Sequence, residues 1–116
     1  MRKAIFATTL VLGLSGVACG GGGGGGDCTP SSATELTGTL SIKDFAFHPD
    51  CFTVASGSTI SVANDDARPH TFTVTDTDVD LGLRGGGTGE TTAPPPGTYD
   101  FLCTIHPTME GTIVVT

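Results

Sequence analysis

The sequence predicts one small all-β domain built as a β-sandwich, and three observations carry that expectation. Between residues 36 and 116 the chain is dense in Thr, Val, Gly and Pro, with turn signals separating short apolar runs. Apolar and polar residues alternate in Thr59-Ile60-Ser61-Val62 and again in Phe72-Thr73-Val74, the period of a strand with one buried face. No window of about ten or more residues carries helical periodicity. The length that remains after the N-terminal region supports a single modest core.

From the N-terminus, Arg2 and Lys3 precede an apolar run at 4–14, and residues 15–18 are mostly small. That order is the three-part pattern of a secretory signal, so residues 1–18 are expected to direct export to the periplasm or the outer face of the cell membrane. The run is too short to span a bilayer as a permanent helix. Cys19 follows Ala18, where a lipoprotein signal places its acylated cysteine, although Gly16 departs from the Leu usual at that position. Lipidation at Cys19 is therefore expected, with the lipid as the only membrane contact and a simple exported protein as the alternative. Residues 20–26 are uninterrupted glycine, and small polar residues follow. Glycine loses the most entropy on ordering and has no side chain to bury, so residues 19–35 read as a flexible tether. No Lys-Ser/Thr pair and no helix follow the glycines, which excludes a nucleotide-binding loop.

In the domain, 36–116, strands are expected at 37–43, 52–55, 59–64, 71–76, 90–93, 98–103 and 111–115. Residues 80–89 hold Gly82, Gly85, Gly86, Gly87 and Gly89 and are expected to form a long mobile loop. Phe45, Phe47, Phe72 and Phe101 are expected in the core. His48, next to Pro49 and without a partner at ligand spacing, is expected at the surface.

The formal net charge is −7, and loss of Arg2 and Lys3 with the signal leaves about −9. Phosphate binding needs a basic patch, so nucleic acid is excluded as a partner. Asp65, Asp66, Asp76, Asp78 and Asp80 offer an acidic surface that would steer a basic redox partner or would serve solubility alone.

Chemistry concentrates near the C-terminus. Cys103-Thr104-Ile105-His106-Pro107-Thr108-Met109 presents a thiolate, an imidazole and a thioether at the spacing Cys-x-x-His-x-x-Met. Cys103 ends the β-prone run Tyr99, Phe101 and Leu102, and Pro107 cannot join a ladder, so the chain turns before Gly111 resumes β character. One tight loop thus carries three candidate ligands. The fourth, His70 in Arg68-Pro69-His70, must come from a neighbouring strand or loop. Two His and one Cys in a plane with a weak axial Met form the donor set of a mononuclear type 1, or blue, copper site. Zinc competes, but a thioether is a poor zinc ligand. A lone Met is usually core filler and a lone loop His usually exposed. The coincidence of all four donors weighs against those bland readings.

This segment, with the upstream Asn64 and Pro69-His70, resembles the cupredoxins, and its short loop is most similar to that of the amicyanins. Phe45-Ala46-Phe47-x-Pro49, Thr53-Val54 and Gly57 are similar to the first half of small bacterial plastocyanin-like domains. The resemblance covers about two thirds of the chain, from Leu40 onward. It implies a Greek-key sandwich holding one Cu(I)/Cu(II) ion, and an exposed His106 ring edge, beside Ile105 and Pro107, as the electron's port. His70, Cys103 and His106 would complete the trigonal set and Met109 would tune the potential. Asn64 and Thr71 are candidates for hydrogen-bonding the ligand loop. The expected role is that of a monomeric electron carrier, not an enzyme, exchanging electrons with a cytochrome or oxidoreductase.

Of four cysteines, assignment of Cys19 to lipid and Cys103 to metal leaves Cys28 and Cys51. Export exposes them to an oxidising compartment, where a disulfide is expected; two free thiols or a second metal site are the alternatives. Copper delivery is the competing function, and a metal-free structural sandwich is the bland one. A copper enzyme would need further His clusters, and a dinuclear centre a second Cys in the loop; the chain has three His in all.

Overall fold

The computed structural model describes residues 28–116. The expected signal, the acylation site Cys19 and the tether up to residue 27 lie outside the described residues. In chain order the strands are β1 (Thr34–Glu35), β2 (Thr39–Lys43), β3 (Ala46–His48), β4 (Cys51–Val54) and β5 (Thr59–Asn64). They continue as β6 (His70–Val74), β7 (Asp80–Leu83), β8 (Thr88–Thr92), β9 (Gly97–Leu102) and β10 (Glu110–Val115). No helix occurs among the described residues.

Two sheets face each other. The larger runs β1-β4-β10-β9-β6-β7 and the smaller β3-β2-β5-β8. Most neighbours are antiparallel, but β1 with β4, β4 with β10, and β2 with β5 are parallel. The all-β sandwich expected from the sequence is the architecture found.

Strand parity decides what enters the core. In β5 it turns Ile60, Val62 and Asn64 inward, and in β6 His70, Phe72 and Val74. The polar residues Asn64 and His70 are thus buried by the same alternation that buries their apolar neighbours. Between the sheets, Phe101 meets Phe47, Phe72 and Phe52 with ring centroids 4.9, 5.1 and 5.4 Å apart. Each such buried ring contributes about 2 kcal/mol through its apolar area.

Residues 80–89 correct an expectation. They are not one mobile loop: β7 pairs with β6 from His70↔Leu83 to Thr73↔Asp80, and β8 pairs with β5. The glycines masked the alternation of Leu81 and Leu83 with Asp80 and Gly82, and only the residues between Leu83 and Thr88 form a turn. His48 is exposed, as expected.

Cys28 and Cys51 form a disulfide across a sequence separation of 23 residues. A loop of that size restricts the unfolded chain enough to stabilise the fold by about 3 kcal/mol. Reduction should lower the denaturant midpoint accordingly. Alkylation of the unreduced, metal-free domain should find Cys103 as the one thiol among the three described cysteines, and labelling at Cys28 or Cys51 would refute the bridge.

Candidate metal centre

His70 opens β6, immediately after Pro69, and its ring is fully buried. Cys103 follows the last residue of β9 and is also fully buried. From there the chain leaves the sheet for six residues before β10 begins at Glu110. Two backbone bonds close this loop: Cys103 N–H to Met109 O at 3.0 Å and Met109 N–H to His106 O at 2.9 Å. Met109 is thereby turned inward, 4% exposed, while Ile105 and Pro107 stay outside and His106 is half-buried.

The loop and β6 bring three donor atoms together. Nδ1 of His70 and Nδ1 of His106 are 3.2 Å apart, and Cys103 Sγ lies 3.8 Å from each. A point equidistant from the three atoms is about 2.1 Å from each, within the ~2.0–2.3 Å that nitrogen and sulfur ligands keep from a first-row metal ion. No other such group of His, Cys, Asp or Glu occurs among the described residues. The residues present therefore fit one mononuclear ion, and thiolate, two imidazoles and a nearby thioether suit copper.

Thr71 braces this arrangement. Its N–H donates to Cys103 Sγ at 3.3 Å, and its Oγ1 accepts from Thr104 N–H at 2.9 Å. Asn64 acts one layer away. Its amide donates to the carbonyls of Arg68, Leu83 and Arg84, and its Oδ1 accepts from Asp66 N–H. It holds the turn that carries His70 rather than the 103–109 loop.

Two side chains have roles the sequence did not suggest. Phe45 is not core: it is 49% exposed, and its ring stands edge-on to both imidazoles, 5.1 Å from each centroid. The reason is the β2–β3 turn, where Asp44 and Phe45 have φ of 53° and 57° and leave the pleat that buries Phe47. Asp66, counted above among steering acids, is engaged locally: it accepts from Asp44 N–H and Phe45 N–H and meets His70 Nε2 at 2.8 Å. The Phe45 N–H is the main cause holding the Asp66 carboxyl below its usual range; burial opposes it, and His70 and the Asp44 N–H reinforce it. A carboxylate four residues before His70 was the one available signal for this contact.

The fold and the site together define a β-sandwich with a candidate mononuclear metal centre at one end. A family model described as a cupredoxin-like domain matches residues 21–115, and the chain belongs to that family. It is 30% identical to amicyanin-alpha of Methylorubrum extorquens over 122 residues, spanning 99% of each chain. Among solved structures, the Cu(I) form of a methionine-to-alanine mutant of amicyanin superposes with a TM-score of 0.60 at 24% identity. That match covers 74% of this chain and 88% of the other. A copper-containing nitrite reductase from Thermus scotoductus superposes equally well, at 27% identity over 70% of this chain. This chain matches 22% of that enzyme's chain.

Proposed function

We propose that this protein is an exported electron carrier with one copper ion per chain, which His70, Cys103 and His106 would hold, with Met109 as a weak fourth donor. The observation that carries the reading is the triangle of two imidazole nitrogens and one cysteine sulfur, closed by a loop that also contains the thioether. The amicyanin relatives support it. When bound, copper supplies a one-electron couple between Cu(I) and Cu(II).

The chain's own residues keep the donors where both oxidation states accept them. Burial fixes the His70 ring, Thr71 fixes the sulfur, and the two backbone bonds fix the loop. A centre that does not rearrange exchanges electrons with little reorganisation. His106, the half-exposed ligand, is the port, with the exposed Ile105 and Phe45 as its apolar rim.

Residues 1–18 act as the export signal, and residues 19–27, acylated at Cys19, tether the copper domain to the membrane; the expected boundary at residue 35 moves back, because Cys28 is bridged to Cys51 and Thr34–Glu35 joins the larger sheet. The disulfide accords with an oxidising compartment. A basic cytochrome or oxidoreductase is the partner class, drawn by a net charge of −7 for the whole chain, about −9 once the signal is lost. The acids are divided, however: Asp65 lies at the His70 end of the sandwich, whereas Asp76 and Asp78 follow the other end of β6. Attraction by charge and alignment by the apolar rim are therefore separate contributions.

One equivalent of Cu(II) should give the domain an intense visible band and a reversible potential. Copper bound without that band, or stripped within seconds by a chelating partner, would replace this reading with copper delivery. Transfer to a cationic cytochrome should slow as salt rises, because exposed charges are screened beyond about 10 Å at 0.1 M salt. Ile105→Lys should slow transfer several-fold and leave the band intact, since it obstructs the rim without touching a ligand. A bleached variant, or one that transfers at the wild-type rate, would reject His106 as the port.

A further inference from the structure

The carboxylate of Asp66 sits where two backbone N–H groups and a ring nitrogen of His70 converge. It lies in the turn between β5 and β6, half-buried, with its own N–H tied to Asn64 Oδ1 at 3.0 Å. Oδ1 accepts from Asp44 N–H at 2.8 Å. Oδ2 accepts from Phe45 N–H at 2.9 Å and lies 2.8 Å from His70 Nε2. Successive N–H groups of left-handed residues form a concave anion site, and Asp44 and Phe45, at φ of 53° and 57°, supply one. Left-handed backbone is costly for a residue as bulky as Phe, and the carboxylate is the partner that offsets it here.

The bond to His70 bears on the metal. A neutral imidazole has one N–H, and a carboxylate, which only accepts, holds that proton on Nε2. Nδ1 then presents its lone pair toward Cys103 Sγ and His106 Nδ1, 3.8 and 3.2 Å away. An ionised acceptor also makes the ring a stronger donor, which favours the more highly charged oxidation state. Through its other two bonds, the same carboxylate seats the turn whose Phe45 ring covers both imidazoles edge-on.

We propose that Asp66 is a positioning residue that fixes the His70 tautomer, lowers the reduction potential and locks Phe45 over the centre. The potential part rests on the copper reading above; the tautomer part does not.

The test uses Asp66→Asn. Asparagine has one acceptor oxygen and an NH₂ group that only donates, so it cannot satisfy all three N–H groups. The coloured variant should bind Cu(I) relative to Cu(II) about tenfold more tightly than wild type, a rise of about 59 mV for one electron. Amide exchange at Asp44 and Phe45 should accelerate. In the metal-free wild type at alkaline pH, long-range ¹⁵N–¹H correlation should find His70 as the Nε2–H tautomer, with the Nδ1–H form appearing in the variant. An Nδ1–H tautomer in wild type overturns the proposal without any variant having to fold. A coloured Asp66→Asn protein with unchanged potential overturns it too. Absence of colour in wild type would instead remove the electron-carrier reading, and the tautomer measurement would still decide the role of Asp66.

Discussion

Replacing Cys103 with serine should abolish the intense visible absorption expected of the copper-loaded domain. The thiolate is the only sulfur anion in the site and the only donor there able to give strong charge transfer to Cu(II). The other two donors of the triangle are imidazoles, and Met109 carries a neutral thioether. Serine is close in size, and its hydroxyl can accept the Thr71 N–H that now meets Cys103 Sγ, so the fold should survive at a cost of about 1 kcal/mol. Loss of colour in a folded protein, checked by far-ultraviolet circular dichroism, is the expected outcome. Full colour in Cys103→Ser would move the metal away from this loop. Met109→Leu should behave differently: if Met109 is the weak donor proposed above, the band stays and the potential shifts upward.

The second large effect falls on stability. Gly111 lies opposite Phe101 across the β9–β10 ladder, one residue into the strand that follows the ligand loop. A Cβ placed on it would run into the Phe101 ring and the Asp50 carbonyl. Neither can give way: Phe101 is fully buried among three other rings, and the Asp50 carbonyl accepts the Thr112 N–H. Gly111→Ala should cost about 3 kcal/mol, the upper part of the range for overpacking, and lower the thermal midpoint by on the order of 15 °C. Gly82→Ala, where a Cβ meets nothing within 4 Å, is the control and should change stability by less than about 0.5 kcal/mol. Equal effects at the two positions would reject the steric account.

Much of this candidate centre is legible in the sequence because three of its four proposed ligands crowd into one loop. Cys103, His106 and Met109 are close in space since they are close in sequence, and a proline and a glycine mark where strand gives way to turn. His70 was legible for another reason: it stands at the start of a strand whose alternation is plain from Phe72 and Val74. Contacts made between distant turns were not legible. The link from Asp66 to Asp44 and Phe45 exists only because β2 and β5 lie side by side in parallel register, with Ile42 opposite Asn64, and no local pattern announces that pairing. Phe45 read as core because an aromatic beside a strand usually is. β3 was missed because it has three residues and runs into His48-Pro49, and β1 because two residues make no pattern.

The strand order also constrains when the centre can come into being. β10 lies between β4 and β9, so a chain synthesised only as far as Leu102 holds the larger sheet as two pieces, β1-β4 and β9-β6-β7, with nothing to join them. The residues that close the gap are made directly after the loop that supplies Cys103, His106 and Met109. A ribosome-bound fragment lacking β10 should therefore neither hold a stable sandwich nor retain copper, since domains generally fold as units once their chain has emerged. Zipping of β10 would complete the sheet and the ligand loop in one cooperative event, and premature capture of metal by a half-made domain is disfavoured by topology alone.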